Sequence, residues 1–296
     1  MAMSLEESAL AGNFAGRRDE HIVDVLIRER APRLSGSPLW FVARPLLYGL
    51  LGYRKARAMA DAVAAAGGRE ALDYASQLLD LKITARGLER IPVQGPVIVI
   101  VNHPTGLADG VAIDDALGPI RPELVFFANA DAHRVNPRLG EVFIPVEWVE
   151  AKRTRERARL TLTLAHEALA AGRAVVIFPA GRIARRAQDG LLIDPPWAQS
   201  ALSLARKRRV PVLPIHLAGP PSRLFRLFDK LWSELRDITL FHELLNKQGG
   251  EFRLTIGPLI PPEALGDAGE ATLRLKRYIE RVLPLNPDQP FDPSRP

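Results

Sequence analysis

The segment Val97 to Gly110, VIVIVNHPTGLADG, ends a β-branched apolar run on an Asn102-His103 pair and sets a carboxylate, Asp109, six residues beyond the histidine. Histidine is the side chain whose ordinary proton affinity lies nearest neutrality, so it can act as a general base. A carboxylate turned back onto one ring nitrogen fixes the tautomer and stabilises the imidazolium, leaving the other nitrogen to take a proton from a substrate hydroxyl. The chain has no cysteine and no G-x-S-x-G elbow, so no activated Ser or Cys is in sight and that hydroxyl attacks directly, without an acyl-enzyme. Pro104, Gly106 and Gly110 permit the tight backbone path such a loop needs. The same residues have a plainer reading, in which Asn102 or Asp109 caps a helix and His103 is satisfied in a loop.

A second stretch, AVVIFPAGRIARR, Ala174 to Arg186, repeats the pattern of strand then turn, here Phe178, Pro179 and Gly181 followed by Arg182 and Arg185. Glycine lets a backbone approach a ligand closely, and guanidinium groups recognise phosphate or carboxylate through paired hydrogen bonds. The competing reading is a basic surface turn. A third stretch, VPVLPIHLAGP, has prolines in and beside a strand, which predicts an edge or a bulge rather than a regular central position. Phosphate-cradling and dinucleotide glycine motifs and H-E-x-x-H are absent, and the six histidines, His21, His103, His133, His166, His216 and His242, are scattered, so no metal site is predicted.

The elements that must hold these stretches are legible from periodicity. Short β-rich runs begin at LKITARG, GPVIVIVN, ELVFFAN, EVFIPVEW, RAVVIFP, VPVLPIHL and EFRLTIG, with helical stretches at Lys152 to Ala171 and Trp197 to Lys207 between them. The alternation predicts an α/β fold, a mixed sheet flanked by helices with chemistry on strand-end loops. Ahead of it, Lys55 to Ala66 and Arg69 to Leu79, split by Gly67-Gly68, read as a helical hairpin, and Leu235 to Leu245 reads as an amphipathic packing segment stopped by Gly249-Gly250. Three regions follow: a helical, membrane-associating N-terminal region at 1–80, the α/β domain at 81–284, and a Pro-rich tail at 285–296 that is extended or disordered.

A formal net charge of +6 favours an anionic partner, whether nucleic acid, an anionic membrane or a phosphate-bearing substrate. The N-terminus lacks the apolar core of a signal peptide, and no run reaches the ~20 apolar residues that span a bilayer. Leu39 to Leu51, LWFVARPLLYGLL, mixes Trp40, Phe41 and Tyr48 with flanking arginines, as a segment lying in a lipid interface does; a core helix with a basic turn is the equal alternative. The basic runs AKRTRERAR and ARKRRVP carry no groove-reading motif, so no nucleic-acid partner is expected.

In this order, the stretches resemble the glycerolipid acyltransferase superfamily that contains the 1-acylglycerol-3-phosphate acyltransferases. GLERIPVQGPVIVIVNH is similar to that family's first block, RVNPRLGEVFIPVEW to the second, FPAGRIA to the third and VPVLPI to the fourth, and the resemblance spans Leu81 to Leu259. Five residues rather than four separate His103 from Asp109, the N-H-P-x-G-x-x-D-G spacing of a bacterial subgroup that FHELLNKQGGEFRLTIGPLIPPE also resembles. In the third block Ala180 stands for the usual Glu and Arg182 lies one position early; in the second, Glu147 falls where an Arg holds the acceptor's phosphate.

The resemblance implies transfer of a fatty acyl group from acyl-CoA or acyl-carrier protein to the hydroxyl of a lysophospholipid or other lyso-lipid, without metal or bound cofactor. His103 and Asp109 would be catalytic, and Asn102, Gly106, Phe178, Pro179, Gly181, Arg182 and Arg185 would shape the substrate site. Backbone N–H groups near Gly106 or Gly181 would face the oxyanion. The missing second-block Arg leaves room for an aminolipid acceptor such as a lyso-ornithine lipid, its head group held by Arg182 or Arg185. The expected location is the cytoplasmic face of the inner membrane, as a peripheral protein. A non-catalytic lipid-binding protein is the rival from another class, and thioester hydrolysis is the rival among enzymes.

Overall fold

The computed structural model describes residues 20–147 and 153–294. Helix α1 (Ile22–Arg30), α2 (Trp40–Leu50), α3 (Tyr53–Val63) and α4 (Gly68–Leu79) come first, so residues 20–79 are helical apart from their connections; 1–19 lie outside the described residues. Gly52, with φ +67°, turns the chain between α2 and α3, and Glu70 Oε2 accepts from Gly67 N–H at 2.7 Å to start α4.

Next come β1 (Lys82–Arg86), β2 (Val97–Val101), α5 (Leu107–Leu117), β3 (Val125–Asn129), β4 (Phe143–Val146), α6 (Arg155–Ala170) and β5 (Ala174–Ile177). A two-stranded hairpin, β6 (Arg185–Arg186) and β7 (Leu192–Ile193), precedes α7 (Ser200–Arg208), β8 (Val212–Ala218), α8 (Arg223–Leu231), β9 (Glu251–Ile256) and α9 (Ala268–Arg277). The segment read as one amphipathic stretch, Leu235 to Leu245, is two short helices, Ser233–Asp237 and Leu240–Leu245.

The large sheet has seven strands in the order β1-β9-β8-β2-β5-β3-β4, all pairs parallel except β8 with β9. It is the expected mixed sheet flanked by helices. Because side chains alternate across a strand, fully buried β2 feeds two cores. Val97, Val99 and Val101 pack with Leu72 and Leu79 of α4 and Val111 and Ile113 of α5; Ile98 and Ile100 pack with Leu169 of α6, Leu202 of α7 and Leu275 of α9. The charged edge strand β1 alternates exposed and half-buried residues.

Strand β8 corrects the edge half of the edge-or-bulge expectation and meets the other half: it is central, flanked by β2 and β9, with Pro214 inside it at an interruption of the ladder. Its pairing with β9 stops at Ile215–Ile256, and the next link on that side is the isolated bridge of Val212 to Ile260. Pro214 therefore faces the looped-out residues 257–259, where only its carbonyl is needed, accepting from Gly257 N–H at 2.9 Å. The missing donor costs the ladder nothing.

A third core joins Val23 and Ile27 of α1, Ala56 and Ala60 of α3, Phe228 of α8 and Ile238, with Trp40, Leu47 and Tyr48 at its margin. Helix α2 touches it from one side only. Tyr48 stacks on Tyr53 with centroids 4.0 Å apart, and Tyr48 donates to Asp24 at 2.8 Å. None of α2 is buried: Phe41 is 89% exposed and Leu46 73%, so the core-helix reading of Leu39 to Leu51 does not hold. Among the described residues no helix is long and apolar enough to cross a membrane. The tail, 285–294, has no helix or strand but is docked, with Phe291 edge-on to Tyr278 at 5.6 Å and Tyr278 donating to Gln289 O at 2.6 Å.

Candidate active site

Strands β2, β5 and β8 are parallel neighbours, so their C-terminal ends share one edge of the sheet, and the chain leaves β2 toward β3 on one side and later returns to β8 on the other. Such a switch point opens a crevice where strand-end loops meet. His103 follows β2 and Phe178 follows β5, and their rings lie 4.7 Å apart at 35°. Ala184 N–H, beyond the Phe178 turn, donates to His103 O at 2.9 Å, tying the two loops together.

His103 Nδ1 is 2.9 Å from Asp109 Oδ2. The approach lies off the direction of a good hydrogen bond, and Nδ1 makes no other, so the contact is electrostatic. Asp109 is fully buried, while the His103 side chain keeps 16% of its surface open. The two readings of Asp109, facing the imidazole and capping a helix, turn out to be one arrangement. At the third position of α5, its Oδ2 accepts from Thr105 N–H at 3.0 Å and Gly106 N–H at 3.1 Å, capping the helix with the same oxygen that faces the imidazole, and its Oδ1 accepts from the Thr105 hydroxyl.

Gly106 is required at the start of this loop. Its φ of +100° with ψ of −140° is open only to glycine, and an added Cβ would stand 3.0 Å from Ile183 Cδ1.

The other predicted residues divide. Phe178 packs on the histidine; Pro179 is buried and accepts from Ala198 N–H at 3.1 Å, shaping the turn. Asn102 is buried against the sheet, donating to Leu217 O at 2.9 Å and accepting from Leu217 N–H at 2.7 Å, so both ends of its amide join the end of β2 to β8. Gly181, with φ +60°, spends its N–H on Phe178 O at 3.0 Å, and Gly106 spends its own on Asp109. The N–H groups of these two glycines themselves are therefore taken by the turn and the helix cap, which leaves their neighbours' N–H groups as the candidates for an oxyanion. Arg182 is exposed, whereas Arg185 donates to Asp229 of α8 at 3.1 Å. Glu147, in the place of the family's second-block Arg, accepts from Arg157 at 2.6 Å.

The sequence reading missed a second carboxylate behind the histidine. Asp194, buried just after β7, accepts the His103 main-chain N–H with both oxygens at 3.1 Å and the Trp197 indole N–H at 2.9 Å. Its own N–H donates to Glu280 Oε1 at 2.7 Å, and Glu280 pairs with Lys276 at 2.6 Å. Burial above all, then the charge of Glu280, pushes the Asp194 carboxyl up to about 7, against the pull of His103 and Trp197. Burial likewise raises Glu280, opposed chiefly by Lys276. The one sequence signal was an acid in IDPPW, three residues before a tryptophan. Its partner, 86 residues on, left no mark.

A histidine–carboxylate pair stands at the central switch point of a mixed sheet, with a capped glycine loop and a Phe-Pro turn beside it, the arrangement expected from the resemblance to acyltransferases. The chain matches the Acyltransferase family model over residues 82–218. It is an O-acyltransferase. A curated relative from Phocaeicola vulgatus, a lyso-glycine lipid O-acyltransferase, is 28% identical over 66% of this chain and 70% of its own. Another of the same name, from Bacteroides thetaiotaomicron, is 23% identical over 73% of this chain and 79% of its own. Among solved structures, the 1-acyl-sn-glycerophosphate (LPA) acyltransferase PlsC from Thermotoga maritima aligns at 19% identity and a TM-score of 0.48, over 88% of this chain and 97% of that one.

Proposed function

We propose that the chain moves a fatty acyl group from an acyl thioester, acyl-CoA or acyl-carrier protein, to the hydroxyl of a lyso-lipid, with a lyso-aminolipid of the lyso-glycine type as acceptor. The observation that carries the chemistry is His103 Nδ1 held 2.9 Å from buried Asp109, which leaves Nε2 for the acceptor. Nε2 takes the hydroxyl proton as the oxygen attacks the thioester carbonyl carbon. When the tetrahedral intermediate collapses, the C–S bond breaks and the imidazolium returns its proton to the leaving thiolate. Asp109 stabilises the imidazolium and its helix cap keeps the carboxylate in place.

Two observations support the aminolipid acceptor. The curated relatives are named for a lyso-glycine lipid, and Glu147 stands where an arginine would meet a phosphate. The acceptor and the acyl chain are largely apolar, so the site works at a lipid surface, and α2, with Phe41 and Leu46 unburied, supplies the apolar face that reaches it. Acyl-transfer assays with purified enzyme, one thioester donor, and lyso-glycine lipid or lysophosphatidic acid as acceptor test the reading. Turnover of the aminolipid above lysophosphatidic acid is expected; preference for lysophosphatidic acid would refute the acceptor assignment, and thioester cleavage that ignores both acceptors would refute transfer.

A further inference from the structure

The β6–β7 hairpin and α8 are both tied to the loop that carries His103. The hairpin is joined to His103 through Ala184 N–H, and Ser222, at the start of α8, donates its hydroxyl to Thr105 O at 3.3 Å, two residues past the histidine. Asp229 binds the two elements together, accepting from Arg185 of the hairpin at 3.1 Å and from Arg236 at 2.7 Å. Residues three or four apart share a helix face, so Arg226 stands between Ser222 and Asp229 on the side of α8 turned to the hairpin, with Arg223 one turn before it.

This region carries more cations than its acids can match. Asp229 already serves two arginines, and buried Glu243 serves Lys247 Nζ at 3.0 Å and Phe225 N–H at 3.3 Å. Among the described residues, Arg223 and Arg226 have no acidic partner, and Arg186 bonds only the Gly190 carbonyl, at 2.8 Å. Half-buried Arg226 is held below the ordinary guanidinium range, by burial first and then by Arg186, with Glu243 opposing and Arg223 adding to the repulsion. Guanidinium groups brought together without a counter-charge form a receptor for an oxyanion, because each offers a planar fork of donors.

We propose that Arg226, with Arg186 and Arg223 beside it, is an anion subsite that holds the acidic group of a substrate while its hydroxyl or thioester lies at His103. The inference rests on the acyl-transfer reading above. It also replaces Arg185, occupied by Asp229, as the head-group ligand. The chemistry recognised is a carboxylate or phosphate oxygen; it belongs either to the acceptor's head group or to the phosphates of the donor.

The test compares wild type with Arg226→Gln, Arg226→Lys and Arg186→Gln, the last at an exposed arginine whose loss leaves the fold's ion pairs intact. The expected result is an acceptor KM raised about tenfold by either Gln variant with donor KM unchanged, as for loss of one charge-assisted pair. The acceptor's methyl ester should show no such difference, and Arg226→Lys should restore part of the loss. A raised donor KM instead assigns the subsite to the donor's phosphates. Unchanged KM for both substrates in folded variants overturns the subsite. Equilibrium binding of an N-acylglycine and of a long-chain acyl-CoA, which needs no turnover, separates the two readings: intact, arginine-dependent binding with no transfer fails the proposed reaction alone, and turnover with arginine-independent binding fails the subsite alone.

Discussion

Two regions around His103 are built on opposite principles. In one, Asp109, Asp194 and Glu280 are buried and every oxygen that matters is matched inside the protein, by Thr105, Gly106, Trp197, Lys276 and main-chain N–H groups. In the other, Arg182, Arg186, Arg223 and Arg226 lie open or half-open without carboxylate partners, and further out α2 leaves its apolar face uncovered. The difference separates what must be fixed before substrate arrives from what substrate and membrane complete. Orientation of a base cannot wait for a ligand, because misalignment is lost rate. Recognition can wait, since an unmatched guanidinium in water is stable and an apolar face is only mildly unfavourable.

That contrast makes changes in the buried region act on kcat and changes in the open region act on binding. The largest effect is expected at the base itself: His103→Ala should lower kcat about 1,000-fold and Asp109→Asn, which removes the charge facing the imidazole, about 100-fold, both in the range for impaired general-base catalysis. Steady-state kinetics on folded variants check this, and an Asp109→Asn variant altered only in KM would break the comparison. Next, Phe41→Glu with Leu46→Glu should weaken binding to anionic liposomes about 30-fold in co-sedimentation while soluble turnover of short-chain substrates holds, since two exposed apolar side chains each contribute roughly 1–2 kcal/mol on transfer. Unchanged sedimentation would remove α2 from the membrane contact.

The smallest effect sharpens the buried side. Asp194→Asn keeps one acceptor oxygen but loses the paired carboxyl oxygens that hold the His103 main-chain N–H and the Trp197 indole together, so kcat should fall about tenfold through looser aim of the histidine. The same group makes stability depend on pH. Its folded-state carboxyl at about 7 lies above the unfolded carboxylate range, so the folded protein holds a proton the unfolded chain releases, and this contribution is complete at acid pH and is lost as pH rises through about 7. His216, lowered to about 4 by burial, runs the other way: its contribution is lost as pH falls from the ordinary histidine range through about 4. Thermal unfolding of Asp194→Asn between pH 4 and 7 should therefore rise with pH more steeply than wild type; parallel curves would show that Asp194 is charged throughout.

Much of this was legible in the chain. The seven main strands announced themselves because β-branched runs such as Val97–Val101 are buried on both faces, and the His103–Asp109 pair because strand, glycine and carboxylate fall within fourteen residues. What escaped was long-range. Pro214 sits in a central strand because the break in the ladder that admits it is supplied by the loop at 257–259, more than forty residues on. Asp194 and Glu280 are ordinary acids until the fold buries them together. The partners of the Gly106 and Gly181 N–H groups were hidden for a related reason, since a glycine N–H looks available in sequence until its turn partner is known.

The doubled duty of Asp109 has a consequence for heat. The carboxylate that starts α5 is the one that faces His103, so fraying of that helix's first turn and loss of aim at the imidazole are one event. Inactivation on warming should then run ahead of cooperative melting, set by a single turn of chain, and a ligand that clamps the loop would protect turnover more than it raises the melting point.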